Sequence, residues 1–237
     1  MNAKIYSNNT FIGLSNLAIG DESMGCVFGE MIPTENYSGN IKKVISERHT
    51  NDDFDFNNYI SLKLNAQLEN GYWLYAVGGI TIDDLTNLDE FKNEPIRIDI
   101  AGLDNVVIEK YFKSKNEELF IQEPWSDITI EQKIAFENEV RKEIGAKKDK
   151  KSIFSFFNNN SNYHPLVEYE LFALCTDQRN DDVLFRCDNK KNDKQFVVIH
   201  LTWKQETELD KYPKFKLYDN FESFKKLRLE SDIDDWE

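Results

Sequence analysis

The chain has 237 residues and a formal net charge of −14, and 40% of its residues are hydrophobic and 13% aromatic. This apolar content is enough for a packed core and excludes a generally disordered chain, and the low numbers of Gly and Pro exclude a linker or fibrous protein. The acidic charge repels nucleic acid and anionic membranes, because both present phosphate, and it attracts a basic protein; solubility alone is the other explanation.

The first half of the chain predicts a largely antiparallel sheet with two short helices. Helical spacing of the apolar residues in 40–48 predicts a helix, and the strict alternation from Ile60 to Leu68 predicts a strand with one apolar face. Asn70-Gly71 predicts a tight turn, and the β-prone segment from Tyr72 to Val77 then predicts the second strand of a hairpin.

Two further elements complete this half. Alternating isoleucines between Pro95 and Ala101 predict a strand, and Asp104 is suited to cap a helix from Asn105 to about Lys113. The polar segment that follows, from Lys113 to Pro124, predicts a domain boundary.

The second half predicts a helix, a β-meander and a C-terminal helix. Thr129 and Gln132 form a capping-box pattern, and the helical spacing that follows ends at Gly145. Asp219 and Glu222 resemble a second capping box, which would begin a helix over residues 220–229. Alternating apolar residues predict a strand at residues 166–175. A short partner strand at 183–187, a strong strand at 196–203 and an edge strand at 215–218 are also predicted.

These elements predict an α+β protein in two parts, both built mainly on antiparallel sheets with a few flanking helices. The first is a sheet domain with short helices, residues 1–122, and the second is a helix-plus-meander domain, residues 123–237. A basic and aromatic segment, Ala146 to Asn162, predicts a loop. Binding of single-stranded nucleic acid by that loop is an alternative that the acidic charge of the whole chain disfavours.

The N-terminus has no basic region followed by an apolar run, and no apolar stretch approaches the roughly 20 residues that span a bilayer. We therefore expect a cytoplasmic protein with no membrane partner. The odd number of cysteines then predicts reduced thiols, with a disulfide between Cys175 and Cys187 across a hairpin as the alternative.

No motif of a known catalytic, cofactor or metal site occurs in the chain. The phosphate-binding loop, the dinucleotide fingerprint, the zinc-protease helix, the paired cysteines of a zinc site and the EF-hand ligand spacing are all absent, so we expect no cofactor and no metal. Cys26 is a nucleophile only if a His base lies near it, and is otherwise a small buried residue. His200 is either a general base beside Asp181 or Asp182, or a half-exposed residue bonded across the sheet.

Clustered aromatic and acidic residues provide candidate binding groups. Aromatic side chains exposed among acidic residues make a good protein-binding patch, although aromatic residues in strands also serve as core. The candidate anchors are Trp73, Tyr75, Trp203 and Tyr212, and the candidate groups for electrostatic steering are Asp52, Asp53, Asp181 and Asp182.

The C-terminal pattern resembles that of a group of small uncharacterised bacterial proteins. It comprises Asp181-Asp182-Val-Leu-Phe, then Phe196-Val-Val-Ile-His-Leu-Thr-Trp203, then Tyr212-Pro213 and Phe221-x-x-Phe224. Some of these proteins are similar to immunity proteins of polymorphic toxin systems. The resemblance covers roughly the last 75 residues and includes no catalytic motif. It implies a cytoplasmic protein that neutralises a cognate toxin by binding it.

Three functions are compatible with these observations. The first is an acidic protein that binds and occludes a basic toxin or effector, as an immunity-type inhibitor does. The second is a hydrolase-like enzyme with its site near Cys26 or His200. The third is a regulatory or structural module of a larger assembly.

Overall fold

A computed structural model describes residues 1–114, 116–145, 164–189, 193–207 and 212–236. The chain divides into two compact units, Met1–Phe120 and Ile121–Glu237. Each unit contains its own antiparallel sheet and several helices, which confirms the predicted α+β class. The predicted loop from Ala146 to Asn162 lies outside the described residues.

The first unit is built on a seven-stranded sheet in the order β5-β1-β2-β4-β7-β6, with β3 paired to β4. Every pairing is antiparallel. The strands are β1 (Asn2–Ser7), β2 (Thr10–Asn16), β3 (Ala18–Ile19), β4 (Val27–Pro33), β5 (Leu64–Leu68), β6 (Gly79–Asp83) and β7 (Arg97–Ala101). In β1 alternate residues are buried, because successive side chains of a strand point to opposite faces of the sheet.

Helices flank this sheet. They are α1 (Gly39–Thr50), α2 (Phe56–Ile60) and α3 (Asn105–Val107), which continues as a π-helical turn (Ile108–Lys113); short 3-10 turns cover Glu22–Met24 and Asp89–Phe91. Helix α1 packs on α2 and on β6. The helix predicted at residues 105–113 is present, and its apolar residues Val107, Ile108, Tyr111 and Phe112 are buried.

The strand predicted from Ile60 to Leu68 is wrong in its first half. Asp55 caps α2 by accepting a hydrogen bond from the Asn57 N–H, and Ile60 is the last residue of that helix. A turn with a positive φ at Lys63 follows, and the strand begins only at Leu64. Local capping therefore outweighs the alternating pattern in this segment.

The Asn70-Gly71 turn is present, but only a short hairpin extends from it. Gly71 has a φ of 92°, which glycine adopts without steric penalty. Leu68 N–H donates to Tyr72 O, and Gln67 and Trp73 form an isolated bridge. Pairing with this segment ends at Leu74, whose N–H donates to Ala66 O at 2.9 Å, so Tyr72 to Val77 is not a full strand.

The second unit contains the predicted meander. Its sheet has the order β12-β11-β10-β9-β8, again fully antiparallel, and β12 is an edge strand as predicted. The strands are β8 (Trp125–Asp127), β9 (Glu170–Asp177), β10 (Asp182–Asp188), β11 (Phe196–His200) and β12 (Lys214–Tyr218), and a 3-10 turn (Pro165–Glu168) precedes β9.

Helix α4 (Ile130–Ile144) packs against β9 and begins with the predicted capping box. Thr129 accepts from the Gln132 N–H, and the Gln132 side chain accepts from the Thr129 N–H. The capping box of the last helix is shifted by one residue from the prediction, because Asn220 and Ser223 form it, not Asp219 and Glu222.

We call the last run of helix the C-terminal helical segment. It comprises α5 (Phe221–Phe224), a π-helical turn (Lys225–Leu229) and α6 (Glu230–Asp234). Phe224 packs edge-on against Trp125 and Tyr218, and Phe221 packs against Phe196. The segment therefore covers part of one sheet face, and the aromatic area that it buries stabilises the unit.

The three cysteines are free. Leu184 pairs with Cys175 across β9 and β10, whereas Cys187 pairs with Leu171, so the two buried cysteines are not opposite each other. Within the described ranges, no helix is both long enough and apolar enough to cross a membrane.

Candidate functional site

The connection between α1 and α2 exposes apolar side chains among carboxylates. Phe56 is 63% exposed and Ile60 is 69% exposed, and Asp52, Asp53 and Asp55 around them are exposed as well. The Phe54 and Phe56 rings pack edge-on, with 5.5 Å between their centroids. We call residues 52–60 the acidic-aromatic segment.

The acidic-aromatic segment is held in place through Tyr59, its one buried residue. The Tyr59 hydroxyl accepts a hydrogen bond from the Ile82 N–H of β6 at 2.7 Å. Arg48 lies over the Tyr59 ring at 5.3 Å and also pairs with Asp83. These contacts order the segment before any partner binds, which lowers the entropy that binding has to overcome.

The two candidate aromatic anchors of the first unit, Trp73 and Tyr75, differ in how far they are buried. Trp73 is 0% exposed and packs on Tyr6 with 5.4 Å between ring centroids, so it belongs to the core and its assignment as a surface anchor is corrected. A fully buried ring offers no surface to a partner. Tyr75 is half-buried, and Asp52 and Asp53 lie on the surface as steering groups require.

Trp203 and Asp181 form an exposed pair in the second unit. Trp203 is 41% exposed, and its indole N–H donates to Asp181 Oδ1 at 3.0 Å. The ring also packs on Phe136 of α4, with 5.8 Å between centroids. The structure therefore brings one predicted anchor and one predicted steering group together. Tyr212 is 42% exposed and lies just before β12.

Asp182 faces inward and belongs to a network of ion pairs. Its side chain is 13% exposed and receives hydrogen bonds from Arg228 and from His200. Asp177 and Asp232 join the same network through Arg179 and Arg228. Its charge is thus compensated within the unit, so Asp182 is a poor long-range steering group.

The carboxylates of this network are stabilised as anions. Burial by itself raises the pKa of Asp177 and of Asp232, but hydrogen bonds from Arg179 to both, and from Trp125 and Arg228 to Asp232, bring each pKa below its ordinary value. Hydrogen bonds and nearby cations favour the charged form of a carboxyl group. The network therefore links β9, β10 and the C-terminal helical segment by charge-assisted bonds.

An open groove of about 380 Å³ lies beside this network. Strand register explains its lining: Asp182 pairs with His200, and His200 pairs with Lys214. Lys216 pairs with Val198, two residues before His200, so these side chains share one sheet face. Arg228 reaches the same space from the C-terminal helical segment. We call it the β11–β12 groove.

His200 is the titratable group that could act in this groove. Its Nδ1 lies 2.8 Å from Asp182 Oδ1 on the paired strand, which agrees with both interpretations of His200, a base beside this carboxylate and a residue bonded across the sheet. With Nδ1–H donated to Asp182, Nε2 is the nitrogen left for a ligand or a proton. Among the described residues that line the groove, none has a hydroxyl or thiol group, so a nucleophile there would have to be water or the ligand itself.

Cys26 has no histidine as a hydrogen-bond partner among the described residues of the first unit. It is half-buried, and its Sγ lies 3.7 Å from the Met24 carbonyl oxygen. His49, the histidine of this unit, pairs with Asp83 and Arg48. Among the described residues, no cluster of three or more His, Cys, Asp or Glu side chains is arranged to hold a metal ion.

Sequence reasoning missed several residues of these surfaces. Phe56 was not among the candidate anchors, although the spacing Asp-Phe-Asp-Phe at residues 53–56 is a visible signal. Lys214, Lys216 and Arg228 were missed because their convergence depends on strand register and on where the last helix packs. Neither the strand register nor the packing position of the last helix can be predicted from a local sequence pattern.

No protein-family model, no curated protein and no solved structure matches the chain.

Proposed function

We propose that this protein binds a basic protein and occludes its working surface, as an immunity-type inhibitor of a bacterial toxin or effector does. The observation that carries the proposal is the acidic-aromatic segment, in which Phe56 and Ile60 are exposed among Asp52, Asp53 and Asp55. Exposed apolar groups provide buried contact area on binding, and the surrounding carboxylates select a cationic partner.

The charge of the chain supports this proposal. The first unit, which carries the segment, contains 19 acidic and 10 basic residues. A field of this sign attracts a basic protein and raises the rate of productive encounters, an effect that salt screens over roughly 8–10 Å at physiological ionic strength. The resemblance of the C-terminal pattern to immunity-like proteins points to the same function, in the bacterial cytoplasm.

Pre-organisation also supports binding at this segment. Tyr59 and Arg48 attach it to β6, and Asp55 caps the helix turn that carries Phe56 and Ile60. A rigid apolar surface loses less conformational entropy on binding than a loose loop does. Trp203 beside Asp181 repeats the combination of aromatic and acidic groups in the second unit.

The test is affinity purification of the tagged full chain from its native cells, at low and high salt, followed by mass spectrometry. We expect a stoichiometric basic protein that dissociates as the salt concentration rises. The Phe56→Ala/Ile60→Ala variant should lose it, while Val106→Ala/Leu119→Ala, which truncates two equally exposed apolar residues of the same unit, should retain it.

Charge is tested with a second pair of variants. Asp52→Asn/Asp53→Asn should slow association and reduce its salt dependence, because exposed charges at the edge of an interface act mainly on the association rate. Glu117→Gln/Glu118→Gln removes the same charge from another exposed position and should have a much smaller effect. A chain that captures no partner, or equal losses in both apolar variants, would refute the proposal.

A further inference from the structure

We propose that the β11–β12 groove binds the phosphate group of a small phosphate monoester. This inference is independent of the proposed function, because the groove lies in the second unit and the acidic-aromatic segment in the first. The described residues that line the groove include three cations, Lys214, Lys216 and Arg228, together with His200 and the carboxylate of Asp182. Because Arg228 is also paired with Asp177 and Asp232, the local positive charge comes mainly from the two lysines, in a chain whose net charge is −14.

The carboxylate in the groove is already compensated. Asp182 accepts from Arg228 Nη2 at 2.8 Å and lies 2.8 Å from His200 Nδ1, so it uses its charge within the protein. Lys214 and Lys216, by contrast, have no carboxylate within ion-pair distance among the described residues. Their ammonium groups lie near aromatic rings, Lys214 at 5.8 Å from Tyr212 and Lys216 at 5.3 Å from Tyr218. Two cations of the groove are therefore uncompensated.

Arg228 also retains a donor for an anion. Arg228 uses Nε on Asp232 and Nη2 on Asp182, which leaves its Nη1 hydrogens without a partner in the described part of the chain. His200 donates from Nε2 only in its imidazolium form, because the hydrogen of the neutral ring is on Nδ1 and goes to Asp182. A guanidinium whose other bonds fix its plane is well suited to a tetrahedral oxyanion.

Charge and size select the ligand class. A phosphate monoester carries about two negative charges near pH 7 and three terminal oxygens, which matches the donors of two lysines and one guanidinium nitrogen. The volume of about 380 Å³ is at the lower end of small-molecule pockets, which span roughly 300–1,000 Å³. A nucleic acid, with its many phosphates, is repelled by the acidic field of the whole chain.

The experiment is a titration of the full-length protein, followed through backbone amide resonances in NMR spectra at pH 7.5 and constant ionic strength. Inorganic phosphate and phosphoserine are the probes, with acetate and chloride as reference anions. We expect saturable shifts confined to the ends of β11 and β12, near His200 and Lys214, with phosphate binding more tightly than acetate. Serine should produce no such shifts, which assigns the binding to the phosphate group.

Two variants with equal charge change decide whether the groove itself binds. Lys214→Gln/Lys216→Gln should weaken phosphate binding about tenfold or more, because it removes two charge-assisted donors. Lys225→Gln/Lys226→Gln removes two exposed lysines of the C-terminal helical segment that do not line the groove, and should leave the affinity unchanged. Both pairs are exposed, so both variants should fold. Equal losses in the two variants, or shifts no larger than those caused by chloride, would overturn the proposal.

Discussion

The buried carboxylate of Glu143 accepts a hydrogen bond from the backbone N–H of Trp203 at 2.8 Å. The same oxygen accepts from the N–H and the hydroxyl of Thr202, at 2.7 and 3.0 Å. Trp203 has a φ of 58°, in the left-handed region, and consecutive N–H groups in such a conformation converge on one anionic group. Helix α4 thereby determines where the exposed indole of Trp203 lies.

This arrangement predicts how stability responds to pH at Glu143. Burial raises the pKa of this carboxyl group above its ordinary value, although the bonds from Thr202 and Trp203 lower it in part. A raised pKa in the folded state means that the protonated form is favoured there, so stability falls as the pH rises through that pKa. Glu143→Gln cannot titrate, so it should lack this decline.

Urea unfolding at a series of pH values from 4 to 8 measures the effect. The stability of the wild type relative to Glu143→Gln should decrease as the pH rises, whatever constant offset the new amide introduces. Glu131→Gln, at an exposed position of the same helix, should follow the wild type. Parallel curves for the wild type and Glu143→Gln would contradict the assignment.

The ion-pair network predicts the opposite pH dependence for the second unit. The pKa values of Asp177 and Asp232 are lowered, so their contribution to stability is present above the unfolded-state pKa, about 3.9, and is lost as the pH falls through the folded values. Asp232→Asn should destabilise the unit by roughly 2–3 kcal/mol at pH 7, since it leaves Arg228 and Arg179 partly unpaired.

Acid and urea titrations followed by circular dichroism check this prediction. The difference in unfolding free energy between wild type and Asp232→Asn should shrink as the pH falls below about 4. The carboxyl group is protonated first in the unfolded chain and only at lower pH in the folded one, because its folded pKa is lowered. Asp235→Asn removes a charge from an exposed position three residues further along and should have little effect. If the decrease in unfolding free energy caused by Asp232→Asn is independent of pH, packing and not charge is responsible for it.

Trp203 is expected to contribute to binding more than to folding. Its ring is 41% exposed and touches Phe136 at the surface, so Trp203→Ala should cost only about 1 kcal/mol of unfolding free energy. Trp125 is 1% exposed, and Trp125→Ala should cost about 3–5 kcal/mol. If urea unfolding gives the same decrease in unfolding free energy for Trp203→Ala and Trp125→Ala, Trp203 is a core residue and not a binding anchor.

Gly25 and Gly39 both have a positive φ, but only Gly25 has atoms close to the position of an added Cβ. Substituting each by Ala therefore distinguishes the cost of backbone strain from the cost of steric overlap. Gly25 has a φ of 60°, and a Cβ there would lie 2.2 Å from the Leu103 carbonyl oxygen. Gly39 has a φ of 55°, and a Cβ there would meet nothing within 4 Å. Gly39→Ala should therefore cost about 1–2 kcal/mol from backbone strain alone.

Gly25→Ala should cost about 3 kcal/mol or more, because the backbone near Leu103 has to shift as well. Chemical denaturation of both variants gives the comparison. Similar costs would mean that the turn next to Cys26 has room for a side chain.

The sequence by itself predicted the elements whose signals are local. Strands β9 to β12, the capping box of Thr129 and Gln132, and the turn at Asn70-Gly71 are all present, because their signals lie in neighbouring residues. The sequence-based prediction was wrong where two local signals in the same segment favoured different structures. In the segment before Leu64, capping by Asp55 and the turn at Lys63 overrode an alternating pattern that extended back to Ile60.

Composition and pattern thus determined an acidic α+β chain with two antiparallel sheets. Only the tertiary structure decided that Trp73 is core while Phe56 is exposed, and that Asp182 faces Arg228 while Lys214 and Lys216 share a groove with His200. The physical reason is that exposure and charge pairing depend on which elements pack together across long sequence separations. Arg228 and Asp182 are 46 residues apart, and no local propensity acts over such a distance.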